Sequence, residues 1–181
     1  MSAQNNKNEK EKDVARRSNI RYLTMTALMA ALITITTAYV CHIPIGVNGG
    51  YIHFGDVLIY MAAVLLPRPY ALAAGAIGGG LADLLTAPMW TPATIIIKML
   101  IVLPFGNKTA KIVTPRNVIA LVIAYFISSF SYFLAEYILF GTWSVLLVSL
   151  GESLIQSGGS AVLFILFGCA LDKVQLKKRF F

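Results

Sequence analysis

Five ionisable side chains stand in otherwise apolar sequence: Asp56, Asp83, Lys98, Glu136 and Glu152. Inside an apolar helix such a group is costly, and it persists where it pairs, titrates or holds a ligand. Carboxylates accept hydrogen bonds and balance cations, and an ammonium donates three bonds. Gln156 follows Glu152 by one helical turn on the same face and adds an amide. Together these types suit a pocket for a small polar molecule rather than bond-breaking chemistry.

Each group also has a structural reading. Asp56 follows Gly55 at a helix start, where a carboxylate caps free N–H groups and suits the helix dipole. Asp83 is equally a structural ion-pair partner for Lys98. Glu136 lies close enough to a helix end to reach water. Trp90, Tyr137 and Trp143 fit either a ligand wall or the aromatic belt at a membrane surface. Tyr51 and His53 fall on a glycine-rich loop and read as a lid or as plain loop.

Absent motifs narrow the class. There is no P-loop, GxSxG or HExxH pattern, so neither ATP hydrolysis of that kind nor the corresponding hydrolases are expected. No enzyme activity, metal or cofactor is expected. Two histidines do not make a zinc site, and Cys41 and Cys169 fall near opposite ends of the layout below, too far apart to bridge.

The surroundings of these groups set the fold class. The chain has 181 residues, 57% hydrophobic and 13% charged, against a charged fraction of about 25% in soluble domains. Tyr22–Cys41, Asn117–Ala135 and Ser153–Leu171 carry no charge, and each approaches the roughly 20 residues that span a bilayer as helix. The sequence predicts an all-α, polytopic membrane protein with the lipid bilayer as its solvent. Six helices are expected, over about Ile20–Cys41, Ile52–Leu66, Tyr70–Thr86, Pro92–Leu103, Asn117–Leu139 and Trp143–Leu171. The second and fourth are short for a full span. Pro67-Arg68-Pro69, Ala87–Thr91, Pro104 with Gly106, and Gly141-Thr142 are the punctuation.

Residues 1–18 read as a disordered cytoplasmic tail, 19–172 as the membrane domain and 173–181 as a basic cytoplasmic tail. The first 21 residues are polar, and the apolar run after them is too long for a signal h-region, so no signal peptide is expected. With both termini inside, Lys98 alone of 15 Lys and Arg falls outside the cytoplasmic segments, as the positive-inside rule demands. The basic residues are spread over several segments, so nucleic-acid binding is not expected. In this layout Asp56, Asp83, Lys98, Glu136 and Glu152 all lie in the outer half of the bundle, which argues for an outward-facing pocket and against a continuous ion path.

Small residues form a second pattern. Ala27 and Ala31, with Ala30 beside them, lie a turn apart on the first helix; Gly75, Gly78, Gly79 and Ala82 mark the third. Such faces let membrane helices approach closely. Internal packing is expected for the third helix, and either packing or docking to another membrane subunit for the first.

The stretch Gly50-Tyr51-Ile52-His53-Phe54-Gly55-Asp56 is similar to the G-x-I-H-x-G-D start of the second helix in one known family. With Gly78-Gly79-Gly80-Leu81-Ala82-Asp83-Leu84-Leu85 and Lys98, it makes the chain, over about Tyr22 to Leu171, resemble the substrate-binding S components of energy-coupling factor (ECF) vitamin transporters. The likeness is to the branch that contains the riboflavin S components. The resemblance implies capture of a vitamin or precursor from outside, at the membrane of a bacterial or archaeal cell. It implies docking through Ala27, Ala30 and Ala31 onto a transmembrane coupling subunit that carries two ATPase subunits. It offers Tyr51, His53, Asp83, Trp90, Lys98, Glu136, Glu152 and Gln156 as substrate-binding candidates. Four acids against Lys98 lean towards a neutral or cationic ligand, such as a pyrimidine or pyridine vitamin precursor. The alternative function is a self-sufficient secondary transporter, proton-coupled through Asp83, Glu136 or Glu152.

Overall fold

The computed structural model describes residues 2–40, 43–44, 51–141 and 146–180. Helix α1 (Ser2–Ala38) leads to a two-residue antiparallel pairing of β1 (Ile43–Pro44) with β2 (Tyr51–Ile52). Helices α2 (Gly55–Leu65), α3 (Arg68–Thr86) and α4 (Thr91–Leu100) follow, with a 3₁₀ turn at Pro88–Trp90 between the last two. Then come α5 (Pro115–Phe140), α6 (Leu146–Lys173) and a short α7 (Leu176–Phe180). The helical class agrees with the sequence pattern.

The segments Lys12–Ala38, Pro115–Phe140 and Leu150–Lys173 are long and apolar enough to cross a membrane; Gly55–Leu65 is apolar but shorter. Leu28, Ile35, Ile119, Phe126, Phe130, Val162 and Leu166 are exposed, whereas Asp56, Asp83, Lys98 and Glu136 are buried. A water-soluble domain does the reverse. These outward apolar faces suit lipid, where helices satisfy their own backbone groups, and the chain is a multi-pass membrane protein.

Helix α2 is the centre. At 11 residues it reaches only about 16 Å, from 1.5 Å per residue. All of its residues except Leu58 are buried. A helix that is apolar all round belongs inside a bundle, and α1, α3 and α6 pack around it. Tyr60 of α2 stacks on Phe105 at 5.0 Å and meets Phe164 of α6 edge-on at 6.2 Å.

The glycines of α3 let its neighbours close in. A Cβ on Gly78 would lie 2.7 Å from Ile33 Cβ and 2.9 Å from the Ala30 carbonyl oxygen of α1. On Gly79 it would lie 2.7 Å from Lys98 Cγ, and on Gly80 2.7 Å from Ile95 Cγ1, both in α4. Thr34 of α1 donates to the Gly78 carbonyl at 3.0 Å. The small-residue face of α3 is thus internal packing, as its pattern predicts.

Helix bounds differ from expectation: α2 starts at Gly55 rather than Ile52, and α4 ends at Leu100 rather than Leu103. α1 runs back to Ser2 through the stretch read as a disordered tail. That stretch holds no Gly or Pro, carries three Lys, two Glu, two Arg and two Ala, and places Asp13 a turn before Arg17, so propensity and charge spacing carry the helix onward. α5 starts at Pro115 because Thr114 Oγ1 accepts from Asn117 N at 3.2 Å, an N-cap followed by proline at the first turn. The basic tail is also helical in part: α6 continues to Lys173, and α7 follows after Gln175, whose φ of 53° turns the chain.

Candidate functional site

Asp56 sits in the first turn of α2, and Lys98 in the last turn of α4. Lys98 Nζ donates to Asp56 Oδ1 at 2.6 Å, with each side chain 1% exposed. This corrects the two structural readings. α2 shows no side-chain cap, so Asp56 acts through its ion pair rather than on the helix end. Lys98 pairs with Asp56, where the sequence reading offered Asp83. Two opposite charges removed from water outweigh the weaker local demand of a helix terminus, whose N–H groups are also served by neighbours.

Gln156 of α6 joins the pair. Its Nε2 donates to Asp56 Oδ2 at 3.0 Å and lies 3.4 Å from His53 Nε2. His53 Nδ1 accepts from Gly55 N at 3.0 Å. A neutral ring with Nδ1 accepting carries its proton on Nε2, so the longer contact sets two donors side by side and Gln156 is held mainly by Asp56. His53 is buried. The residue read as part of a lid is therefore packed at the start of α2, where it holds the Gly55 N–H.

A second group surrounds Lys98. Its Nζ lies 5.6 Å from the centre of the Tyr132 ring of α5, within cation–π range. The Tyr132 hydroxyl shares a hydrogen bond of 3.1 Å with Thr94 Oγ1. Trp90 meets Tyr132 edge-on at 6.2 Å and Phe140 at 6.1 Å. Trp90 is buried, so it is part of this wall rather than a belt residue facing the membrane surface. Asp83 is buried at the end of α3. Glu136 is also buried, and Glu152 is half-buried.

The structure therefore joins Lys98 and Gln156 through Asp56, holds His53 on the neighbouring Gly55 N–H, and places Trp90 against the same lysine through Tyr132. Tyr51 pairs through its backbone with Pro44; the tip of its loop, residues 45–50, and Trp143 lie outside the described residues. On α1, Ala27 and Ala31 are exposed, whereas Ala30 is buried against Gly78. The site also includes Asp56, which the sequence reading named without placing it among the substrate-binding candidates, and Thr94 and Tyr132, which it left out. Four-residue spacing could have found two of them: Trp90, Thr94 and Lys98 share one face of the chain around α4, and Tyr132 precedes Glu136 by one turn.

Several buried polar atoms here lack a hydrogen-bond partner among the described residues: Trp90 Nε1, Thr91 Oγ1, Ser129 Oγ, Glu152 Oε1 and Ser160 Oγ. Ser160 extends the Glu152–Gln156 face by one more turn, and Ser129 lies on α5 one turn before Tyr132. Each such atom costs about 1–3 kcal/mol unless something satisfies it. A polar ligand can do so, and the set offers it an indole N–H, hydroxyls and a carboxylate. No cluster of metal-ligating side chains occurs among the described residues.

The family model of the ECF-type riboflavin transporter S component matches residues 17–173. Among curated proteins, an "uncharacterized protein in gap 3′ region" of Pyrococcus woesei is 41% identical over 66 residues, or 36% of this chain. That match spans 44% of the relative's length, less than half of it.

Proposed function

This chain belongs to the family of ECF-type riboflavin transporter S components, and from that premise we propose that it captures a vitamin or vitamin precursor at the outer face of a prokaryotic cell membrane. The family is one of substrate-specific transporter subunits, not of enzymes. In this reading both termini are cytoplasmic, and the ends of the helices near Asp83 and Glu136 face outside. The captured molecule is delivered with a transmembrane coupling subunit and two ATPase subunits, which dock on the exposed Ala27–Ala31 face of α1.

The set of unpartnered buried polar atoms beside the Asp56–Lys98–Gln156 network carries this reading. Asp56 already neutralises Lys98, so the ammonium is not spare for an anion. Glu152 Oε1 has no hydrogen-bond partner among the described residues, which favours a neutral or cationic nitrogen heterocycle flanked by Trp90 and Tyr132. Riboflavin, pyrimidine and pyridine precursors all meet that description.

The test is titration of the purified protein with riboflavin, a pyrimidine, a pyridine and a polyanionic vitamin, followed by intrinsic tryptophan fluorescence. Saturable binding of a neutral or cationic member, weakened at least about tenfold by Glu152→Gln through loss of a charged hydrogen bond, supports the reading. Binding of the polyanion alone overturns the ligand class. Co-purification with a coupling subunit and its two ATPases, lost in Ala27→Trp with Ala31→Trp, tests the assembly separately.

A further inference from the structure

A cavity of about 300 Å³ lies at the opposite end of the bundle from Asp83 and Glu136. Tyr22 of α1, Leu65 and Pro67 at the end of α2, and Asn107–Ala110 form one part of its wall; Lys177 and Lys178 of α7 form another. Lys108 stands on its rim. Three lysines thus line one cavity, and none of its lining residues is acidic.

Lys177 is the unusual member. It is 6% exposed, and its Nζ is buried without a hydrogen-bond partner among the described residues. Its counter-charge in reach is Asp172, but the two oxygens of Asp172 already accept from Ile112 N at 2.7 Å and Val113 N at 3.0 Å. The position is built, not accidental. Gln175 adopts the left-handed conformation, with φ 53°, which costs a non-glycine residue roughly 1–2 kcal/mol. That turn folds α7 back towards the bundle, where Leu176 packs against the core. Burial pushes the Lys177 ammonium below the ordinary lysine range, with Asp172 opposing in part. An anion in the cavity would reverse that shift.

We propose that this cavity is a phosphate-group site, with Lys177 as the buried donor and Lys108 and Lys178 closing over the ligand. Lysine is a compact point charge that suits phosphate oxygens. The other side, Tyr22, Leu65 and Pro67, is apolar and suits the neck of a phospholipid beside its headgroup. Basic pockets between membrane helices are a known setting for anionic headgroups. A lipid headgroup and a free phosphate share this chemistry. The site is independent of the vitamin pocket at the other end.

Thermal unfolding of the full chain in neutral detergent tests the proposal. Phosphatidylglycerol is compared with phosphatidylcholine at equal mole fraction, and inorganic phosphate with chloride at equal ionic strength. Saturable stabilisation by phosphatidylglycerol but not phosphatidylcholine identifies a lipid headgroup; stabilisation by inorganic phosphate identifies a free one. In either case Lys177→Gln should raise the half-saturating concentration about tenfold, and Lys173→Gln, an exposed lysine outside the cavity, should leave it unchanged. Lys108→Gln, also exposed, repeats the test without touching a buried position. Equal effects of the two lipids and of the two salts would overturn the proposal. So would equal losses in the Lys177 and Lys173 variants.

Discussion

The two ends of this bundle bury polar groups in opposite ways. At one end, charged side chains satisfy one another: Lys98 holds Asp56, and Gln156 completes the carboxylate. At the other, uncharged or singly charged side chains satisfy the backbone. Asn117 Oδ1 accepts from Gly106 N at 2.9 Å, and its Nδ2 donates to the carbonyls of Gly106 and Ile112. Asn107 Nδ2 donates to the Leu66 carbonyl at 2.8 Å, and Asp172 receives two N–H groups of the same connector. The second arrangement is architecture: helix ends expose backbone groups, and a membrane interior offers no water to satisfy them. The first arrangement, like Lys177 at the second end, leaves side-chain atoms, not backbone, as the groups in need of partners, and side chains can turn to a ligand.

Breaking the ion pair should have the largest effect on stability. Lys98→Met leaves the Asp56 carboxylate buried without its cation, at a cost of about 3–5 kcal/mol. Combining it with Asp56→Leu removes both charges and should recover most of that loss, because paired charges gain little over apolar residues of similar size. Thermal unfolding in detergent measures both variants. A double variant as unstable as Lys98→Met would mean that the pair organises the bundle beyond its own two charges.

The staple should respond differently. Asn117→Ala strips partners from the N–H and carbonyl of Gly106 and from the carbonyl of Ile112. The expected cost is about 2–3 kcal/mol, from unsatisfied buried backbone groups. No second substitution of one residue can rescue it, since the orphaned groups belong to the backbone. Ligand affinity at the far end should stay unchanged, and a loss there would couple the two ends.

The close contact of α1 with α3 sharpens the picture between these extremes. Gly78→Ala drives a methyl against Ile33 and the Ala30 carbonyl, and overpacking of this kind costs about 1–3 kcal/mol. Gly79→Ala meets Lys98 Cγ instead, so it should cost less where the lysine chain can bend, yet disturb the ion pair more. Unfolding temperature should rank Gly78→Ala below Gly79→Ala, with ligand binding ranking them the other way.

Local signals carried most of the fold. Proline pairs, glycine turns and uncharged runs marked the main helices, and the glycines of α3 announced their close neighbours. What failed was reading Asp56 from its immediate sequence. Gly55-Asp56 looks like a helix cap, but the deciding partner, Lys98, is 42 residues further on. Depth in the membrane grouped the acids with Lys98 and could not choose which acid it meets. The polar N-terminal stretch was misjudged for a related reason: composition speaks to burial, while helix formation there rests on propensity and charge spacing. Lys177 looked like one more basic residue of a tail because nothing in its neighbours signals the turn at Gln175.

The smallest effect on stability is the most informative about function. Glu152 Oε1 has no hydrogen-bond partner among the described residues. Glu152→Gln keeps the shape and removes one charge. Stability should therefore change by no more than about 0.5 kcal/mol. If Glu152 is there to hold the fold together, that substitution must cost more, since a carboxylate with a structural partner would lose it. If it is there for a ligand, unfolding stays as it was while affinity falls and preference for a cationic ligand over a neutral one is lost. Paired unfolding and binding curves on the one variant separate the two, in a region where the Asp56–Lys98 pair, satisfied within the protein, would show both losses together.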